Sequence, residues 1–555
     1  MEDILQNMPN VKKFSDYIND INNNVNPIML SGLTDMGKIH LSYATGYYTK
    51  RPICIITYNE IQAKKIYNDA HFFTEKIVYF PKREILTYDY IAESKDELAV
   101  RIDALNKIYN NEAEIIITTI EAVSQKILPK NILYKNLFKI KIGDLYNLDD
   151  IKNTLVKLGY ERYELVEGKG QFSIRGGIVD IATDEKQGIR IEFFGDEVDS
   201  IRNFNISSQR STNMLNNATI YPAYEFVLEN DLSTLCSNIQ NMKYEQYLQD
   251  RIETDIDEIM QENYINKIDK YFNSFYSKKA TLLDYLSSNT IIFLDEIERI
   301  KNRIDNIQKD TNTLIKTLVE KEKFVPDNLK NIGDYIEFIE NINVKQVIYL
   351  EKQDIGFVDK KSMHAKRNGY SFSYREVNFF RSTIDSLFEE IKKEHKQTII
   401  INKNEDASKQ MSDLLLENNV LEPNVINTIG SISVGFYSDD FDLLVISTHE
   451  LFEATKKRRK YSNEFKQGEQ VIFEDLKIGD YIVHKNHGIG QFVGINTITA
   501  DGVTKDYIKL KYDSDAILYV PTNSLDNIRK YVSGGDYNPK LNKLGSKEWL
   551  KTKNK

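Results

Sequence analysis

Cysteine is nearly missing from this sequence: Cys54 and Cys236 are the only two among 555 residues. Two thiols so far apart exclude a disulfide framework and suit a reducing cytoplasm. No apolar run reaches the ~18 residues of a membrane span, so none is expected. The opening MEDILQNMPN is too polar and acidic for a signal peptide. The seven histidines are scattered, and HExxH, GxSxG and cysteine clusters are all lacking. No metal of the common structural or catalytic kinds is expected. Positive charge is also short. Lys and Arg number 73 against 83 Asp and Glu, a formal net charge of -10. Such a chain is not built as a whole to wrap nucleic acid, although a local basic face stays open.

What is present is an ordinary globular composition, 41% hydrophobic and 28% charged. The chain is too long for one core, so three to five domains are expected. Near its start, PIML (27–30) reads as a buried strand. It leads into Gly32-Leu33-Thr34-Asp35-Met36-Gly37-Lys38-Ile39. This satisfies the G-x-x-x-x-G-K part of a phosphate-binding loop, in which backbone N–H groups cradle phosphate and the lysine reaches it. The next position needs a Ser or Thr hydroxyl for magnesium, and Ile39 offers none. Asp35 adds negative charge where an anion should sit. The loop therefore reads as degenerate. Asp295 and Glu296, at the end of TIIFLDE (290–296), stand where a magnesium-and-water pair would be held. The plainer alternative is a helix start, where the dipole favours acidic residues.

Strands RPICIITY (51–58), KIVYFP (76–81) and AEIIITT (113–119) alternate with helical patterns at 59–73 and 94–108. That alternation predicts a parallel sheet covered by helices. Residues 136–224 switch to short alternating strands with glycine turns, a small inserted antiparallel domain. Residues 225–340 return to the first domain, which begins with 1–135. Residues 341–455 read as a second α/β domain without a phosphate loop. Its expected strands are 344–350, 397–403 and 441–448, and its expected helices 383–394 and 407–419. A basic linker, 456–469, carries KKRRK (456–460), which either meets DNA phosphates or is simply solvated. Residues 470–535 predict five strands in a small barrel of SH3 or Tudor type. From 471 to 555 there are 13 basic and 10 acidic residues, a net of +3, too mild for a nucleic-acid domain. His484 and His487 have no third ligand nearby and read as turn residues. The strand DYIKLKY (506–512) alternates its faces. An open edge there could take a partner's strand; the alternative is an internal barrel strand.

Three stretches together resemble the bacterial transcription-repair coupling factor family. GDYIVHKNHGIGQFVGINTITADGVTKDYIKLKYDSDAILYVPTNSLDNIRKYV (479–532) is similar to that family's RNA-polymerase-interacting domain. PKLNKLGSKEW (539–549) follows it as the connection to the motor would. GQFSIRGGIVDI (170–181) with IRIEFFGDEVDSIRNFN (189–205) resembles its UvrB-like second domain, and PKREILTYDYIAESKDELAVRIDAL (81–105) adds to the match.

The resemblance implies a multidomain α/β protein. It would comprise a UvrB-like degenerate phosphate-loop domain with an inserted antiparallel β-rich domain, a second α/β domain and the SH3/Tudor-like barrel. It implies an adaptor that binds the RNA polymerase β subunit and recruits UvrA to stalled polymerase, in the bacterial cytoplasm and at the nucleoid through polymerase. No second G-x4-G-K-S/T occurs here. The ATP-driven DNA translocase of the family, with its ATP, its magnesium and most DNA contacts, would lie beyond a connector beginning at 536–555. For this chain no cofactor, metal or catalytic residue is implied. By motif, Arg175, Arg190 and Phe194 would contact UvrA. Tyr507, Ile508, Lys509, Leu510 and Lys511 would pair with polymerase, and Gly32, Gly37, Lys38 and Ile39 would form the degenerate loop. The UvrB family's DNA-probing hairpin has no room within YFPKREILTYDYIAES (79–94), so damage sensing is not expected. The alternative is a UvrB-like ATPase using Lys38 with Asp295 and Glu296.

Overall fold

A computed structural model describes residues 2–83, 95–352, 368–377, 397–448, 479–500, 503–521 and 528–530. Within these, 136, 185, 229–230, 243, 262–266, 269, 419, 421–423, 485–486 and 514–515 are excepted; 388, 391 and 541 are described as single positions. The stretch 84–94, most of the expected helix 383–394, the basic linker with KKRRK and the connector at 542–555 lie outside the described residues. The chain forms two compact units, Met1–Arg458 and Arg459–Lys555.

The first unit is built on a seven-stranded parallel sheet. Its strands run in the order Asn368–Ser371, Ile28–Ser31, Gln346–Leu350, Ile291–Asp295, Ile53–Thr57, Ile115–Thr119 and Ile77–Phe80. ICIIT, IIITT, IIFLD and QVIYL are buried along their whole length. β-Branched runs of this kind suit strands covered by helices on both faces. The strand expected at 344–350 exists, but it belongs to this sheet and not to the second α/β region. It lies between Ile28–Ser31 and Ile291–Asp295. A run buried on both faces carries no periodicity that says which sheet it joins.

The region 136–224 is β-rich and antiparallel except at one edge, where Glu161–Arg162 pairs parallel with Gln171–Arg175. Its six-stranded sheet follows chain order from Ser211–Leu215 at one edge through Glu197–Asn205, Gln187–Phe194, Ile178–Ile181 and Gln171–Arg175 to Glu161–Arg162 at the other. Alternation sends Phe172, Val179, Ile181, Ile191 and Ile201 into a core shared with the parallel sheet. A second tie is ionic. Arg101, on helix Lys95–Tyr109, meets Glu225 through Nε at 2.9 Å and Nη2 at 3.0 Å, and both side chains are buried.

A mixed five-stranded sheet completes this unit, in the order Tyr374–Val377, Gly435–Ser438, Leu443–Ser447, Gln397–Asn402 and Val425–Ile429. It is fastened to helix Glu60–Ala70. Asp69 accepts from the Ser433 backbone N–H at 2.6 Å and from its hydroxyl at 2.8 Å.

The second unit carries a five-stranded antiparallel sheet. Its order is Ile517–Pro521, Val503–Lys511, Gly488–Ala500, Tyr481–His484 and Ile528–Lys530. Ile482, Phe492, Ile508, Leu510, Tyr512 and Val520 form its core. The open edge expected along 506–512 is not there. Residues 507–511 pair with 491–496 on one side and with 517–521 on the other. Alternation of faces is shared by edge and internal strands, so the sequence pattern could not separate them. The internal reading is the correct one.

Candidate functional site

The degenerate loop lies at the carboxyl end of the parallel sheet. Thr34 caps helix Asp35–Thr49, accepting the Gly37 N–H at 3.1 Å. The Lys38 ammonium is buried, donates to Asp295 at 2.6 Å and also contacts Glu296. Asp295 is held in turn by the Thr57 hydroxyl at 2.7 Å. Burial pulls the Lys38 pKa down, but the two carboxylates outweigh it and hold the ammonium above its usual value. Ile39 is core, packed where a magnesium-binding hydroxyl would be needed.

The loop's glycines serve the chain itself. Gly32 has φ +76°, and a Cβ there would sit 2.1 Å from the Phe372 carbonyl oxygen. A Cβ on Gly37 would lie 2.7 Å from the Tyr374 ring. Phe372 and Tyr374 donate backbone N–H groups to Ser31 and Gly32. The close approach that a phosphate loop reserves for its ligand is taken by residues 372–374.

Asp35 is neutralised as well. Burial would raise its pKa, but Lys352 and Lys65, each at 2.8 Å, bring it down to about 2. Glu351 goes the other way. Burial, reinforced by Glu296 and Asp295, pushes its carboxyl up to about 7, against the Ile297 N–H and Lys38. A carboxyl with a raised folded pKa stabilises fully below its unfolded range, and that contribution is lost as pH rises through about 7. Stability of the first unit should therefore decline between pH 5 and 8. Glu351→Gln should flatten that decline, as read by the melting temperature across the range. An unchanged slope would contradict the assignment.

The outer face of the six-stranded sheet brings Arg175, Arg190 and Phe194 together. Arg190 and Phe194 share one face of Gln187–Phe194, opposite the core residues Ile189 and Ile191. Phe194 is 84% exposed, so it is not core, whereas its neighbour Phe193 packs inward. Ile178 and Met214 are exposed in the same sheet. Sequence reasoning missed Asp180. It is buried beneath the arginines, receiving Arg175 Nη2 at 2.9 Å and Arg190 Nε at 2.7 Å. The signal was an acid at the outward phase of the apolar strand IVDI, directly opposite Arg190. The guanidinium of Arg190 also lies over the Phe204 ring at 4.9 Å. Hydrogen bonds to Asp180 push its pKa further up.

In the second unit, Ile508 and Leu510 point into the core. Lys509 and Lys511 lie half-buried on the opposite face. Tyr507 lies in the strand, with its side chain outside the described residues. Next to Lys509 and Lys511 stand Tyr519 and Ile517 of the outermost strand, 41% and 43% exposed. Among the described residues, no group of three or more His, Cys, Asp or Glu is arranged to hold a metal, and no helix is long and apolar enough to cross a membrane.

Residues 138–226 match the UvrB interaction domain family, and residues 476–532 match the CarD-like/TRCF RID domain family. The chain is 28% identical to the transcription-repair-coupling factor of Bacillus subtilis (strain 168) over 576 residues, covering 98% of this chain and 48% of that protein. It is 27% identical to that of Staphylococcus haemolyticus (strain JCSC1435), covering 100% of this chain and 49% of that protein. The chain thus spans about half the length of the curated relatives it matches. With a UvrB interaction domain in its first unit and a CarD-like domain in its second, it is homologous along nearly its whole length to the bacterial transcription-repair-coupling factors.

Proposed function

We propose that this chain is an adaptor in transcription-coupled DNA repair, binding RNA polymerase through its second unit and the repair protein UvrA through its first. The observation that carries this reading is the outer face at Arg175, Arg190 and Phe194. There a large aromatic side chain stands 84% exposed on the same sheet face as two arginines, within the stretch matching the UvrB interaction domain. Aromatic and arginine anchors are the usual energetic centre of a protein interface. Residues 136–224 would be the UvrA-facing module, and 470–535 the polymerase-facing module, closed as a barrel of SH3 or Tudor type. An ATPase role draws no support from a loop whose lysine is neutralised by Asp295 and Glu296 and whose glycines pack against residues 372–374.

Polymerase contact calls for a revised geometry. Strand addition needs free backbone groups. Among the described residues, 507–511 have partners on both sides, while Ile517–Pro521 ends the sheet. The pairing edge would therefore be Ile517–Pro521, with Tyr519, Ile517, Lys509 and Lys511 lining the adjoining face. Ile508 and Leu510 would support that edge from the core.

Arg175→Glu should weaken UvrA capture by about 30-fold or more, the ~2 kcal/mol of an interface hot spot. Polymerase affinity should stay unchanged. The check is titration of the purified variant against each partner. Wild-type affinity for UvrA would overturn the proposal.

A further inference from the structure

Asp180 is a carboxylate that the sheet has no packing reason to bury. It lies in Ile178–Ile181, a central strand with neighbours on both sides. Its side chain is buried, yet it faces outward, in the cross-strand row Ser173, Asp180, Arg190, Arg202. What covers it is the two guanidinium groups. Arg190 straddles it, Nε to Oδ1 at 2.7 Å and Nη2 to Oδ2 at 3.0 Å. Arg175 reaches the same Oδ2 through Nη2 at 2.9 Å. One carboxylate thus holds two cations that would otherwise repel each other, and leaves the trio with a net charge of +1.

The two arginines are not equally anchored. Arg190 is also held by the Gln209 carbonyl at 3.3 Å and by the Phe204 ring. Its side chain is only 16% exposed, against 48% for Arg175. Arg175 projects furthest and is positioned by Asp180. Ile178 and Phe194 are near neighbours on the same face, since Ile178 pairs with Glu192, two residues before Phe194.

We infer that Asp180 is the positioning residue of this docking face. It fixes the outer edge of Arg175 beside Ile178 and Phe194, where a carboxylate flanked by an apolar socket on a protein partner would be received. The inference rests on the UvrA-binding reading above. Pre-setting a long side chain removes an ordering cost that the complex would otherwise bear. A planar guanidinium also loses little further freedom when it binds bidentately.

The experiment measures UvrA affinity for the whole chain as Asp180→Asn, Arg175→Ala and the double variant, with circular dichroism and melting temperature on each. Asparagine keeps the size but offers one oxygen and an amide that faces a cation. Asp180→Asn should weaken capture about tenfold, and less than about twofold when Arg175 is already alanine. A role only in folding would cost the same factor in both backgrounds, and that result would overturn the inference. So would an unchanged affinity in Asp180→Asn while Arg175→Ala binds weakly; the UvrA reading would then stand alone. Unchanged affinity in Arg175→Ala would overturn both. If Asp180→Asn fails to fold, Asp180→Glu keeps the charge while displacing the guanidiniums. It should show the same background-dependent loss, and additivity there would equally overturn the inference.

Discussion

Leu510→Arg is expected to unfold the sheet of the second unit, and not merely to weaken a contact with polymerase. Leu510 is fully buried, with Phe492 and Leu518 as its cross-strand partners and Ile482, Ile508 and Tyr512 in the same core. The change forfeits about 2–3 kcal/mol of apolar burial. It also places an unpaired guanidinium among aliphatic side chains, a further penalty of several kcal/mol. A small domain holds only about 5 kcal/mol in reserve. Hydrogen exchange should show protection lost across 481–511 while the first unit keeps its own. Tyr519→Ala should behave oppositely. Its side chain is 41% exposed on the outermost strand. Protection should survive while polymerase affinity falls about 30-fold, the weight of an aromatic anchor. A folded Leu510→Arg sheet, or a Tyr519→Ala chain that binds polymerase normally, would contradict this geometry.

Glu225→Gln should destabilise the first unit by about 3–5 kcal/mol, the cost of leaving one partner of a buried ion pair uncompensated. Arg101 is the cation left behind. It is among the largest fully buried side chains, and its other neighbours include the Pro81 carbonyl, the Gln125 side-chain oxygen and the Phe80 ring. Arg83, 3.8 Å from Glu225, would lose the same counter-charge. Denaturant titration with hydrogen exchange at 95–109 measures the loss. Arg101→Met with Glu225→Met should recover most of it, because the pair is costly to break and much less costly to replace with packed apolar groups. Equal stability of Glu225→Gln and wild type would show that water reaches the pair.

Local pattern made much of this legible. Isoleucine-rich runs marked the parallel strands at 53–57, 115–119 and 291–295, and glycine turns marked the antiparallel region. Ile39 alone marked the loop as unable to hold magnesium in the usual way. Long-range pairing was less visible. Nothing within QVIYL says that it lies beside Ile28–Ser31, more than three hundred residues earlier. Nothing in DYIKLKY distinguishes one occupied edge from two. Arg175, Arg190 and Phe194 could be named by motif. Asp180 could not, because an acid in an apolar strand acquires its meaning from the two side chains that fold over it.

The order of strands in the parallel sheet also bears on how the chain is made. Ile28–Ser31 leaves the ribosome more than three hundred residues ahead of its two sheet partners, Gln346–Leu350 and Asn368–Ser371. At about 5–20 residues per second, it waits roughly 15–60 s for the nearer of them. Ile53–Thr57 can pair early with Ile115–Thr119 but waits for Ile291–Asp295 on its other side. The β-rich sheet spanning 161–215 has all its strands within one short stretch and can close first. A nascent chain would therefore display a finished 161–215 sheet beside a half-built parallel sheet with bare backbone, which is the kind of intermediate that chaperones hold.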